Sequence, residues 1–143
     1  TFMMCFQEYM KRSGSVLVNT HQLSLDNVWV NDMYAGEYNP AHFHSSKNSL
    51  VGLSSVLFLK VPETYGEEYT NNHEPANGHL EFIGGNQHSL SMSQMRVSPE
   101  VGDFFIFPYT LVHAVYPFRQ TEQMRRTLSY NCDILPKVLV KPV

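Results

Sequence analysis

The apolar positions change period once along the chain. Residues 2–11 place Phe2, Cys5, Phe6, Tyr9 and Met10 at helical spacing, which predicts one amphipathic helix ended by Ser13-Gly14. Beyond that point the helical period gives way to short runs rich in Val, Leu, Phe, Tyr and Trp. Strands are expected at Val16–Asn19, Asn27–Asn31, Leu50–Val61, His79–Ile83, Met95–Ser98, Phe104–Phe107, His113–Pro117 and Thr127–Ile134. Turn chemistry separates them at Ala76-Asn77-Gly78, Gly84-Gly85-Asn86 and Pro99-Glu100-Val101-Gly102-Asp103. Many short strands with Gly and Pro punctuation predict a mainly β fold, a β-sandwich or jelly-roll barrel, with the N-terminal helix packed outside. The longest apparent loop, Pro62 to Asn77, is acidic through Glu63, Glu67, Glu68 and Glu74 and reads as a lid or entrance rim.

Length and composition narrow this picture. The 143 residues suit a single domain over 1–143. A chain of this size buries roughly 68–70% of its extended surface and folds without disulfides or a structural metal. With 43% hydrophobic and 16% charged residues the composition is globular. No apolar run approaches the ~20 residues of a membrane helix. The net charge of -3 and the lack of a basic run argue against a nucleic-acid binder. Cys5 and Cys132 have neither CxxC nor zinc spacing, so both read as reduced thiols in a cytosol-like compartment. The first residue is Thr1, so the lack of a signal peptide is weak support for a cytoplasmic location.

The first chemical signal is His42-Phe43-His44. In a strand, residues i and i+2 share a face, so both imidazoles are expected to point one way and Phe43 the other. A divalent metal gives one nitrogen of each ring a partner; two partly exposed strand histidines are the plainer alternative. His113 follows Gly102-Asp103, an apolar strand and Pro108, which places it near the start of the next strand. In a jelly roll that strand can run beside the one carrying His42 and His44. The three then form an open-sided imidazole set suited to Fe(II), and also to manganese, nickel or zinc. His21, His73, His79 and His88 lack such pairing and are expected to be solvated.

Arg125-Arg126-Thr127-Leu128-Ser129-Tyr130-Asn131 supplies the second signal. Alternation puts Arg125, Thr127 and Ser129 on one face and Arg126, Leu128 and Tyr130 on the other. If the Arg125 face points inward, a buried guanidinium demands an anion, and a carboxylate held by Arg125 and capped by the Thr127 hydroxyl would satisfy it. Alternation alone does not choose between the two arginines, and an internal glutamate or a surface position also accounts for Arg125.

These residues resemble the 2-oxoglutarate- and Fe(II)-dependent dioxygenases, in particular a small prolyl-4-hydroxylase-like group often encoded by phages and marine bacteria. The matching pieces are GEYNPAHFHS (36–45), LSSVLFLKVPE (53–63), GHLEFIGG (78–85), VSPEVGDFFIFPYTLVHAVYPF (97–118) and RRTLSYNCDI (125–134), about 100 residues in the family order. The resemblance implies a double-stranded β-helix and makes His42 and His113 iron ligands, with His44 where most of these enzymes have an aspartate. It makes Arg125 the binder of the distal carboxylate of 2-oxoglutarate and Thr127 the hydroxyl residue two positions on. Phe58 falls where many relatives carry a tyrosine that touches the cosubstrate. By analogy the enzyme would hydroxylate a prolyl or other peptide side chain, or a small molecule. Its partners would be 2-oxoglutarate, O2 and that substrate, with neither nucleic acid nor membrane; a homodimer is allowed.

Two departures from the family pattern stand out. Three neutral imidazoles with Fe(II) and 2-oxoglutarate give a centre of zero net charge, where an aspartate would give -1. A carboxylate from Glu37 or Asp103 could enter, although Asp103 reads better as a turn residue. Phe58 cannot donate a hydrogen bond, which leaves more of cosubstrate binding to Arg125. Tyr38, Tyr109 and Tyr116 are candidates for lining the mouth. A cupin-type enzyme with a three-histidine site that does not use 2-oxoglutarate fits Gly36 and the HxH that follows, but its glutamate is missing because 45–48 reads Ser-Ser-Lys-Asn. A non-catalytic jelly roll with incidental histidines is the remaining alternative.

Overall fold

The structure is a computed structural model that describes residues 2–67, 75–85, 90 and 92–137. Helix α1 (Phe2–Arg12) ends where expected: Ser13 N–H donates to Tyr9 O, and Gly14 takes the left-handed conformation (φ 67°) that closes a helix. Lys11 and Arg12 fill its last turn, where cations favour the helix dipole. The strand expected at Val16–Asn19 is instead a short helix, α2 (Leu17–Thr20). Ser15 explains the difference: its Oγ accepts the Leu17 N–H and its carbonyl accepts the Val18 N–H, turning the chain before it can extend.

Eight strands follow: β1 (His21–Met33), β2 (Asn39–His42), β3 (Gly52–Lys60), β4 (Leu80–Ile83), β5 (Gln94–Val97), β6 (Phe104–Pro108), β7 (Val112–Val115) and β8 (Arg125–Pro136). They form two antiparallel four-stranded sheets, ordered β1-β8-β3-β6 and β2-β7-β4-β5. Partners such as β1 with β8, β2 with β7, β3 with β6 and β4 with β5 nest inside one another along the chain, as in a jelly roll wound from one long hairpin. The expected mainly β fold with an outer N-terminal helix is therefore present. No helix among the described residues is long and apolar enough to cross a membrane.

Period-2 alternation sorts each strand between two layers. Phe58, Leu80, Phe82, Phe107 and Val115 face inward with Met33 and Phe118 and fill the sandwich. On the outside of the first sheet, Phe6 and Met10 of α1 pack against Leu53, Cys132 and Ile134. Burying each of those helix side chains stabilises the docking by roughly 1.5–3 kcal/mol. Cys5 is exposed, Cys132 is buried, and both are free thiols. Part of the expected lid, residues 68–74, lies outside the described residues, as do His73 and His88.

Candidate metal centre and anion pocket

The three histidines arrive from two strands and one irregular segment. His42 ends β2 and sits directly across from His113 on β7, whose other neighbour is Phe82 on β4. His44 does not share the strand with His42, contrary to the alternation argument: β2 stops at His42. Its backbone N–H leaves the ladder and donates instead to Tyr109 O at 2.9 Å. The ring still reaches the same place, with centroids 5.3 Å from His42 and 5.0 Å from His113.

One ligand nitrogen from each ring lies within 4.8 Å of the other two, the only such cluster among the described residues. Backbone carbonyls fix two of the tautomers. His42 Nδ1 lies 2.7 Å from Pro40 O and His113 Nδ1 lies 3.0 Å from Leu111 O. A carbonyl only accepts, so both Nδ1 atoms carry the proton and both Nε2 lone pairs are free to ligate. His44 Nε2 and His113 Nε2 are 3.2 Å apart. Two nitrogens each about 2.1 Å from one ion stand roughly 3 Å apart, so this donor set fits a shared metal. Burial, helped by the neighbouring His113 and His42, pushes the His44 pKa down to about 4. His113 is also lowered, mainly by burial and against the Leu111 carbonyl. Both are therefore in the neutral, metal-binding form near pH 7.

The choice between the two arginines is settled by β1. Asp32 stands opposite Arg126 and takes its guanidinium through two 2.7 Å bonds on the outer face. Arg125 points inward and is the largest fully buried side chain among the described residues, 2% exposed. Its Nη1 donates to Gly78 O at 3.3 Å, its Nε has no partner among the described residues, and its guanidinium lies 5.2 Å from the Phe58 ring centre. No carboxylate among the described residues forms an ion pair with it. Burial lowers its pKa to about 10, which leaves it charged at neutral pH. Thr127, also 2% exposed, faces the same way two residues on.

A cavity of about 80 Å³ joins these groups, with the histidines, Arg125, Thr127 and Phe58 all in its wall. Trp29, Asn31 and Asn39, none of them a candidate from the sequence, also line it. The first two alternate inward on β1 opposite Ser129 and Thr127 and fall within the strand expected at Asn27–Asn31, so the same period-2 rule could have found them. A larger cavity of about 470 Å³ lies outside the sandwich between α1, α2, β1 and β8, with no cluster of metal ligands among the described residues.

The remaining candidates lie elsewhere. None of Tyr38, Tyr109 and Tyr116 lines the cavity: Tyr38 is exposed, Tyr109 is buried against Asp133, and Tyr116 bonds Glu81. Glu37 accepts the Tyr34 N–H and Asp103 accepts the Glu100 N–H, so Asp103 is the turn residue expected and neither joins the histidines. His21 shares a hydrogen bond with Thr20 Oγ1. His79 is not solvated as expected but half-buried with an unpartnered Nδ1, because its position next to β4 puts the ring beside Tyr65.

A family model described as "Putative 2OG-Fe(II) oxygenase" matches residues 27–131, which include every residue of this site. No curated protein sequence matches the chain. Among solved structures, an oxidoreductase of the 2OG-Fe(II) oxygenase family from Burkholderia pseudomallei superposes with a TM-score of 0.57 at 15% identity. The alignment covers 87% of this chain and 50% of that one, so the chain spans half the length of that neighbour. An RmlC-like cupin protein from Desulfovibrio desulfuricans aligns at a TM-score of 0.41 and 15% identity, over 79% of this chain and 82% of that one.

Proposed function

The chain belongs to the 2OG-Fe(II) oxygenase family, whose model spans residues 27–131, and we propose that it is a working 2-oxoglutarate-dependent hydroxylase. In this reading His42, His44 and His113 hold Fe(II), and Arg125 and Thr127 hold the cosubstrate. Residues 1–143 act as one jelly-roll domain, and the substrate is a peptide side chain, prolyl in the first instance, or a small molecule. The observation that carries the reading is a buried guanidinium, without a counter-ion among the described residues, in the same cavity as three imidazoles. Leaving a charge buried and unpaired destabilises a fold by several kcal/mol, which a dianionic ligand offsets.

Each side chain then has a definite task. Arg125 takes the distal carboxylate through its paired N–H donors, and the Thr127 hydroxyl donates to the same group. Phe58 packs against the guanidinium and adds no hydrogen bond, so recognition rests on those two residues. His42 and His113 present bare Nε2 atoms because Pro40 and Leu111 hold their Nδ1 protons. Phe82 and Phe107, packed around His113, keep water from the centre. Bound Fe(II) supplies the O2 chemistry that couples decarboxylation of 2-oxoglutarate to succinate with hydroxylation of a C–H bond.

The three-imidazole set, without a carboxylate, also suits a cupin-type oxygenase that uses no 2-oxoglutarate, but that reading leaves Arg125 without a ligand. Measuring succinate separates the two. Formation of succinate from 2-oxoglutarate that needs Fe(II) and is lost in His113→Ala and Arg125→Met is expected. Oxygen uptake that proceeds equally without 2-oxoglutarate would favour the cupin-type reading.

A further inference from the structure

Three ligands on one ion need three fixed ring orientations. For His42 and His113 a backbone carbonyl two residues upstream fixes the ring through Nδ1. No equivalent bond to His44 is found among the described residues. His44 also lies beyond the last residue of β2, so no strand ladder holds its backbone. Its backbone N–H bonds Tyr109 O, and its ring packs 6.4 Å from the Tyr109 ring, with Trp29 and Phe107 at 6.0 and 6.2 Å.

Tyr109 is itself locked. Its N–H donates to Gly52 O at 2.9 Å, and its hydroxyl donates to Asp133 Oδ1 at 3.1 Å. Residue 52 has to be glycine for this, since a Cβ there would run into the Tyr109 ring. The second oxygen of Asp133 accepts from Ser46 Oγ at 2.8 Å, and Ser46 Oγ accepts the N–H groups of Asn48 and Ser49 at 3.0 Å each. One carboxylate thus ties together the segment two residues past His44 and the residue whose carbonyl holds His44. Asp133 is 1% exposed, and no Lys or Arg among the described residues forms an ion pair with it. Among the described residues only two hydroxyls meet this buried carboxylate, an expensive arrangement for which packing gives no reason, because apolar side chains would fill the same space more cheaply.

We propose that Asp133, acting through Tyr109 and Ser46, is the positioning residue for His44, so that a buried carboxylate behind the third imidazole does what a backbone carbonyl does for the other two. This rests on the metal-binding reading of the histidines. It makes Tyr109 a support for the site from behind and gives a purpose to the buried Asp133 carboxylate, which has no Lys or Arg partner among the described residues.

Cobalt(II) tests the proposal without turnover, because both its affinity and its visible d–d spectrum report ligand number and geometry. The full chain would be compared as wild type, Asp133→Asn, Tyr109→Phe and His44→Ala. Glu81→Gln serves as the control, since it weakens a buried carboxylate with two donors on the outer face of the other sheet. Tyr109→Phe keeps the ring and deletes one hydroxyl, so it reports even if Asp133→Asn does not fold. The expected result is a loss of cobalt affinity of about 10- to 100-fold in Tyr109→Phe and Asp133→Asn, the usual effect of removing a ligand's support. Their spectra should move toward that of His44→Ala, while Glu81→Gln lowers thermal stability and keeps the wild-type affinity and spectrum. Wild-type affinity and spectrum in Tyr109→Phe and Asp133→Asn, with His44→Ala impaired, would overturn the positioning role alone. A wild type that binds no cobalt would overturn the metal reading and this inference together.

Discussion

Arg125 and Glu81 are both buried charges on strands that wall the sandwich, and they are treated in opposite ways. Glu81 faces outward from β4, 3% exposed, and accepts from Arg96 at 3.1 Å and from Tyr116 at 2.7 Å. Its acceptors are met by side chains of the fold itself, and Arg96 also lies over the Tyr116 ring. Arg125 faces inward from β8 with one long bond to a carbonyl and an Nε that has no partner among the described residues. A charge kept for the fold is paired within the fold; a charge kept for a ligand is left open toward the cavity. The same contrast separates Asp32–Arg126 on the outside from Arg125 one residue away.

The largest expected effect breaks the open side of this comparison. Arg125→Met should weaken 2-oxoglutarate binding by roughly 2–5 kcal/mol, the usual consequence of truncating one partner of a desolvated pair. The ligand-free fold should be as stable as wild type or more so, because an uncompensated charge has gone. Calorimetric titration and chemical denaturation read the two halves separately, and a strongly destabilised apo protein would mean that Arg125 serves the fold.

The paired side should respond the other way round. Arg96→Met leaves Glu81 buried with Tyr116 alone and should destabilise the fold by about 2–3 kcal/mol. Cosubstrate affinity of the folded fraction should be unchanged. Gly78→Ala should fall between the two. Its φ of +69° and the Tyr65 ring leave no room for a Cβ, and its carbonyl is the one bonded to Arg125. A stability loss of about 1–3 kcal/mol is expected from the backbone strain, together with weaker 2-oxoglutarate binding.

The smallest effect is on pH. Burial holds His44 and His113 below the ordinary imidazole value of 6.5, with His44 down at about 4. The unfolded chain therefore takes up protons first as pH falls. The metal-free protein should keep this part of its stability above about pH 6.5 and lose it progressively toward about pH 4. A denaturation midpoint that does not change over this window, once other titrating groups are matched by a His44→Ala control, would contradict the burial.

Much of this was legible in the sequence because period-2 alternation and turn residues report layer and order directly. The three histidines gather as expected, although alternation places only the Arg-x-Thr face correctly and not His44. His42 and His44 were expected on one strand face, but β2 stops at His42, because the bond that pulls His44 off the ladder goes to Tyr109, 65 positions away. Arg125 and Arg126 could not be told apart by alternation, which fits either phase; Asp32 on the neighbouring strand decides it. The first half of β1 was missed although Leu23 and Leu25 alternate with Gln22, Ser24 and Asp26, because the bulge between Leu25 and Asn27 breaks the phase before the expected Asn27–Asn31 run. Tyr109 and Tyr116 were placed at the mouth because composition says aromatic and not which acid, Asp133 or Glu81, waits for the hydroxyl.

The central claim is that the histidines and Arg125 form one site for a chelated 2-oxoacid. Anaerobic titration of 2-oxoglutarate into the Fe(II)-loaded chain, followed through the visible metal-to-ligand charge-transfer band, tests it most directly. A saturable band is expected in the wild type, needing far more 2-oxoglutarate in Arg125→Met. Iron bound by the histidines with no band at any concentration of 2-oxoglutarate would contradict it.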